Sequence, residues 1–421
     1  MSITSYPEVV RLSGNGGNVV SFEGTTLLDA FGRLRVSEPY TLFDSQNRYA
    51  ADSQFDTSTA TGGALTYLPN ESSCAMAVTT SSGSEVVRQT FRTFPYQPGK
   101  SLLLLASFVM NAAKTNLRQR VGYFSTQNGC FLEQDNSTVS FVIRTYTSGA
   151  VTETDRAARA SWNKDKLDGT GPSGVTLDLT KSQILFIDFE WLGVGNVRCG
   201  FVIDGVFIVA HTFEHANMAS SSAVYMTTAI LPIRYEITNT GTTASNSTLK
   251  QICSSVISEG GYSQVTSDTT VRRTTSLSGI STTFVPLVSI RLNASNLGAV
   301  VLLNRVNVLP LTTQTYETVI VKNSVLTSPT WVSGTYPNVD YDVSATAMTI
   351  PTASSIFQSD YLTSTAQGRQ TLSAPTGYNF DYQLGASLAG VSDIFTLGIR
   401  TTSSTPTAEA FGLIAFYDLT A

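Results

Sequence analysis

The side chains best spaced for chemistry lie in the string HTFEH. His211, Glu214 and His215 fit H-x-x-E-H, the pattern in which two imidazoles one helical turn apart hold a zinc ion and a carboxylate activates its water. They include the only two histidines of the chain. The chemistry requires a helix, yet Val206 to Ala210, just before the motif, are mostly β-branched or aromatic. On a strand the two imidazoles would stand about 13 Å apart, too far for one zinc ion. HTFEH therefore reads as the end of a strand. DKLDGTG (Asp165 to Gly171) sets two acids beside glycines but lacks the D-x-[DN]-x-[DN]-G spacing of a calcium loop, so a turn closed by aspartate side chains is expected. Asp188 and Glu190 suggest a glycosidase pair only until their i, i+2 spacing is seen as the polar face of a strand. A phosphate-binding loop, a nucleophile elbow and a dinucleotide fingerprint are all missing from the sequence. No catalytic residue, cofactor or metal is expected, and the chain is read as a non-enzyme.

The elements that must position these residues are strands. Of 421 residues, 42% are hydrophobic and only 14% charged, well under the roughly 25% usual for soluble globular chains. The deficit falls on Lys and Glu, which solvated helices need, while Thr, Ser, Gly and aromatic residues are plentiful. A net charge of -5 with no basic stripe sets nucleic-acid binding aside. LLLLASFVM (Leu102 to Met110) is about half the ~20 residues of a membrane-spanning helix and reads as a strand buried on both faces. The opening MSITSYPEVV has no basic-then-apolar signal pattern, so assembly in a cytoplasm is expected. Cys74, Cys130, Cys199 and Cys253 are dispersed and read as small buried hydrophobes of a reducing compartment.

Four segments follow. Residues 1–65 are expected to be an N-terminal arm, because SGNGGN (Ser13 to Asn18) and TSTATGG (Thr57 to Gly63) are flexible connectors. Between them DAFGRLRVSEPYTLFDS (Asp29 to Ser45) has many large apolar residues but no clean period. Residues 66–262 are expected to form a lectin-like (jelly-roll) β-sandwich, 263–279 a linker, and 280–421 a smaller C-terminal β-sandwich, an all-β chain. One hairpin stands out: VRCGFVI and VFIVAHTF flank Asp204-Gly205, which suits a two-residue type I′ turn. In QILFIDFEW and PIRYEIT the alternation predicts one apolar face and one polar face, Asp188 with Glu190 and Arg234 with Glu236 on the latter. Aromatic residues near loops, Trp162, Tyr225, Trp331 and Tyr336, could stack on sugar rings, though packing is the default use of such rings.

DAFGRLRVSEPYTLFDS, QRVGYFSTQNGCFLE (Gln119 to Glu133), FEWLGVGNVRCGFVIDGVFIVAHTFEHAN (Phe189 to Asn217), LPIRYEI (Leu231 to Ile237) and SSVISEGGY (Ser254 to Tyr262) together resemble a family of virion structural proteins of tailed bacteriophages, marine and cyanobacterial types above all. The resemblance spans most of residues 25–262, with an echo in VPLVSIRLN (Val285 to Asn293). It implies a particle component with no catalytic residues to carry over, and HTFEHAN within its ordinary sandwich pattern. The expectation is a virion protein, assembled in the host cytoplasm, that decorates or stabilises the particle through arm exchange and broad β-sandwich contacts. Its partners would be other virion proteins of capsid or tail and further copies of itself, a trimer first. The alternative is a tail or fibre component binding host-surface glycan, and neither nucleic acid nor membrane insertion is expected. Phe31, Leu34, Leu42 and Phe43 would fill apolar sites, on this chain or on a neighbour, while Arg33 and Arg35 fix the register of the docked segment.

Overall fold

Apolar residues at every second position generate the first sandwich. On Leu117–Phe124, the side chains of Leu117, Val121 and Tyr123 are buried in the core, and Arg118, Arg120 and Phe124 take the opposite face. The computed structural model describes residues 38–217, 223–263, 266–363, 370–373, 382–403 and 408–420. The chain divides into two compact units, one of residues up to Thr90 with Phe94–Tyr262, the other of Phe91–Thr93 with the residues from Ser263 on.

The first unit begins with β1 (Tyr40–Gln46), β2 (Phe55–Ala60), β3 (Ala64–Leu68), β4 (Ser73–Val78), β5 (Glu85–Thr90) and the short β6 (Phe94–Pro95). β7 (Ser101–Val109), β8 (Leu117–Phe124), β9 (Gly129–Asp135), β10 (Thr138–Thr145) and β11 (Thr152–Ala158) follow. β12 (Gln183–Phe189), β13 (Val197–Ile203), β14 (Val206–Phe213), the short β15 (Ile230–Leu231), β16 (Ile233–Asn239) and β17 (Ser247–Glu259) complete it. One sheet has the order β14-β13-β12-β7-β17-β4-β3, with β1 also on β17; the other runs β11-β10-β9-β8-β16-β5-β2. Their apolar faces meet in a lectin-like, jelly-roll sandwich. Tyr123 reaches Phe189 across it at 5.4 Å between ring centroids, and Phe141 reaches Phe201 at 6.2 Å. β7 is the central strand between β12 and β17; it is buried on both faces only from Ser101 to Leu104, after which Ala106 and Phe108 stay buried while Leu105, Ser107 and Val109 are half-buried, so the expected double burial holds for its first half alone.

The hairpin at Asp204-Gly205 forms as the sequence predicts: Ile203 pairs with Val206, and both turn residues have positive φ, 51° and 79°. The polar faces of β12 and β16 do not face open solvent as expected. Asp188 is 1% exposed and Glu236 6%, because acids and arginines of the same and adjacent strands cover and neutralise one another, Asp188 with Arg198 and Glu236 with Arg234 and Arg120.

In the second unit β18 (Asp268–Arg272), β19 (Leu277–Ile280), β20 (Val285–Leu292), β21 (Val301–Pro310), β22 (Thr315–Lys322) and β23 (Val325–Thr327) come first. They are followed by β24 (Val339–Asp342), β25 (Ala347–Thr349), β26 (Ile356–Thr363), β27 (Gln370–Ser373), β28 (Ile394–Thr401) and β29 (Ala408–Asp418). Five strands order as β18-β29-β21-β27 with β19 on β29, and five as β24-β20-β28-β22-β26. Leu287, Ile290, Val306, Tyr316, Phe395, Leu397 and Ile414, each at most 1% exposed, build the core between them.

Two expected boundaries move. Residues 40–60, assigned by sequence to the arm, supply β1 and β2 of the first sandwich, and residues 268–280, assigned to the linker, supply β18 and β19. Both pairs are strands with modest apolar content whose partners lie far along the chain, so local composition hides them. Among the described residues no helix is long and apolar enough to cross a membrane.

Candidate functional site

Among the described residues, a dense gathering of chemically capable side chains lies on the outward face of the seven-stranded sheet. Register places Arg120 of β8 opposite Glu133 of β9 and Glu236 of β16, while Gly122 sits beside Phe131 and Arg234. Arg120 Nε donates to Glu133 Oε2 at 2.7 Å, and its other nitrogens approach Glu236 at 3.5 Å and Glu153 of β11 at 3.2 Å. Arg144 donates to Glu153 at 2.8 Å, Arg156 bridges Glu133 and Glu153, and Arg234 donates to Glu236 at 2.6 Å. Four arginines and three glutamates thus form one lattice. The guanidiniums lie over apolar rings: Arg120 is 5.1 Å from the Phe131 centroid, Arg144 5.1 Å from Phe131 and 5.3 Å from Phe124, and Arg234 5.7 Å from Phe124.

Electrostatics follows the geometry. Burial pushes the Glu133 carboxyl up, but the Arg120 charge and hydrogen bonds from Arg156 and Arg120 outweigh it and hold the group below the ordinary glutamate value. Glu236 is likewise held down against its burial by Arg234 and Arg120. Glu85, on β5, goes the other way, raised by burial and then by the neighbouring Glu236. Arg144 is lowered by burial and by Arg120, a like charge. The carboxylates at the centre of the lattice are therefore ionised and committed at neutral pH.

The histidines of HTFEH separate. His211 lies within β14, two residues before its end, and its Nδ1 accepts from the Asn163 amide at 3.3 Å. Burial lowers its pKa. His215 lies past the strand, with Nδ1 2.8 Å from the Gly195 carbonyl and Nε2 3.1 Å from Asp155 Oδ2, and it stacks on Tyr225 at 4.0 Å. Glu214 between them is exposed. Among the described residues no cluster of three or more His, Cys, Asp or Glu is placed to hold a metal ion. Asp188 pairs with Arg198 of β13. Asp165 closes its loop as expected, accepting from the Leu167 and Ser173 amides at 2.8 Å each, and Asp168 accepts from Thr170 at 2.9 Å.

Leu42 and Phe43, two of the six residues proposed for docking, are each 3% exposed within this chain's own first sandwich. Phe43 packs 4.9 Å from Phe94 and 5.9 Å from Phe55. Phe31, Arg33, Leu34 and Arg35 lie outside the described residues. Of the aromatics weighed as sugar platforms, Trp162 is 3% exposed against Phe141, and Tyr225 is 8% exposed under His215. Trp331 carries the Arg291 guanidinium at 4.2 Å, and Tyr336 donates to the Thr270 carbonyl at 2.8 Å while packing edge-on against Phe416.

Sequence reasoning missed most of the lattice and also Arg88, which is buried and donates to Gln251 at 2.5 Å, Thr57 at 3.0 Å and the Asp52 carbonyl at 2.9 Å. The available signal was the alternation of RQR and RYE within strand-like runs; which acid each arginine would meet depends on pairing across the sheet. The four cysteines are free, but Cys130 and Cys199, from opposite sheets, bring their sulfurs to 3.6 Å.

No protein-family model matches the chain, and no curated protein matches it. Among solved structures, the CBM2 module of the evolved Dit of Lactobacillus casei BL23 phage J-1 is similar at 8% identity, TM-score 0.36, over 54% of this chain and 99% of the other. A protein of unknown function from Shewanella oneidensis MR-1 is similar at 11% identity, TM-score 0.34, over 57% and 94%. The legume lectin-like domain from Entamoeba histolytica is similar at 10% identity, TM-score 0.30, over 50% and 95%.

Proposed function

We propose that this chain is a non-enzymatic structural component of a tailed-bacteriophage virion, which decorates or stabilises the particle through broad contacts of its β-sandwiches in a homo-oligomer. The observation that carries the reading is where the resembling strings fall. Wherever described, the five strings build the first sandwich: TLFDS is β1, QRVGYFSTQNGCFLE is β8 and β9, FEW through HAN ends β12 and makes β13 and β14, PIRYEI is β16 and SSVISE is β17, while the echo VPLVSIRLN is β20 of the second unit. Their acids and bases are spent on each other, Glu133 with Arg120, Asp188 with Arg198 and Glu236 with Arg234, and His215 is held by Gly195 and Asp155. A carboxylate fixed in its ionised state by arginines is a poor general acid, which supports a mechanical use of these groups.

Mass spectrometry of purified phage particles, with copy number measured against the major capsid protein, tests this. Many copies per particle are expected. Absence from the particle, or turnover of a substrate by the purified chain, would overturn the reading. A glycan array with the purified protein tests the rival use as an adhesin, for which few copies at the tail and specific retention on one sugar class would speak. The burial of Trp162 and Tyr225 weighs against those rings as sugar platforms.

A further inference from the structure

Cys130 lies on β9 between Tyr123 and Ile143, and Cys199 lies on β13 between Ile187 and His211. The strands belong to opposite sheets, yet the two thiols face each other across the core with their sulfurs 3.6 Å apart, 2% and 0% exposed. A disulfide needs a separation of about 2.05 Å, so closing the gap asks roughly 1.5 Å of combined sulfur movement. Both backbones are held by pairing on either side, so the juxtaposition belongs to the core and not to a mobile loop. Burial, followed by the contact with Cys130, raises the Cys199 thiol well above its ordinary value, which keeps it a poor nucleophile in the closed sandwich.

We propose that Cys130 and Cys199 form a latent inter-sheet disulfide, closed by a peroxide-class oxidant and open in a reducing compartment. One thiol, as thiolate, attacks a peroxide oxygen and breaks the O–O bond, giving a sulfenic acid and water from hydrogen peroxide. The second sulfur attacks the sulfenic sulfur, the S–S bond forms, and the hydroxyl leaves as a second water with the remaining thiol proton. Two thiols are oxidised by two electrons in all and one peroxide is reduced. The residues joined are 69 positions apart and tie one sheet to the other, so the bond removes much freedom from the unfolded chain.

The test exposes the reduced full-length protein to hydrogen peroxide at neutral pH, quenches it, and denatures it in an alkylating reagent. Free thiols are expected to fall from four per chain to two, with Cys130 and Cys199 peptides linked in a non-reducing map. The melting temperature should rise by several degrees and return on reduction. A Cys130→Ala variant should show neither the link nor the rise. Because oxidant access to a closed core is slow, the chain is also refolded in a glutathione and glutathione-disulfide buffer. Four thiols surviving both treatments, links through Cys74 or Cys253 instead, or sulfinic acid at Cys130 or Cys199 without a link would each overturn the proposal.

Discussion

Arg120 and Glu133 face one another across β8 and β9, 2.7 Å apart and with 7% and 2% of their side chains exposed, and each is shared with a second partner of opposite charge. Charges this deep are stable only while paired. Glu133→Ala leaves Arg120 with its nearest acceptor removed, so a loss of about 3 kcal/mol is expected. Glu71→Ala, in a surface pair with Lys250 where half of the Glu71 side chain is exposed, should cost about 0.5 kcal/mol. Urea unfolding followed by tryptophan fluorescence, with Trp162 and Trp191 reporting the first unit, compares the two; equal losses would contradict the lattice's burial.

The same lattice sets an acid limit. Glu133 and Glu236 have folded pKa values below the ordinary 4.5, so the stability they contribute is complete above that value and drains as pH falls through the depressed ones. Glu85 works in the opposite sense, since its raised pKa adds stability on acidification, but it is one group against two. Melting temperature should hold a near-plateau from neutral pH to about 5, with a slight decline below about 6.5 as the unfolded chain protonates the histidine whose folded pKa is lowered, His211, and drop steeply below 4. Added salt should barely change the plateau, because the pairs are buried. A plateau extending unchanged to pH 3 would remove the lattice from the account.

Phe43→Ala tests where β1 belongs. The ring is 3% exposed and packs on Phe55 and Phe94 of the same chain, so truncation should cost about 3 kcal/mol or more. The loss should not depend on protein concentration. If β1 served a neighbouring copy instead, dilution of the wild type would mimic the mutation, and a concentration series of melting curves separates the two.

What was readable in the sequence was what local chemistry decides. The Asp204-Gly205 turn, the strand character of β7 and the aspartate-closed loop at Asp165 each depend on residues within a few positions of one another, though the expected burial of β7 on both faces holds only for its first half. β1 was obscured for a physical reason: the register slips between Thr41 and Phe43, so Leu42 and Phe43 are buried in succession and the alternation that marks a strand is broken. The lattice was half visible, since Arg234 and Glu236 announce a polar face, but its closure needs Glu133 and Arg120 from strands about a hundred residues earlier. The meeting of Cys130 and Cys199 had no sequence signal, because their strands pair only within their own sheets and the contact is made across the core.

Two glycines in one hairpin give the sharpest check on the sheet itself. At Gly205 φ is +79° and nothing lies within 4 Å of where a Cβ would point, so Gly205→Ala meets only the left-handed backbone penalty, about 1 kcal/mol. Gly200 stands where β13 slips register against β14, and a Cβ there would come 2.0 Å from the Ile208 carbonyl oxygen and 2.7 Å from the Phe186 ring. That oxygen is backbone in a paired strand and cannot swing aside, so Gly200→Ala must part β13 from β14 or fail to fold. The expected result is a soluble Gly205→Ala protein melting a few degrees below wild type and a Gly200→Ala protein that is insoluble or has lost the protected amides of β14 in hydrogen exchange. Equal tolerance of the two substitutions would mean that the β13–β14 register is wrong.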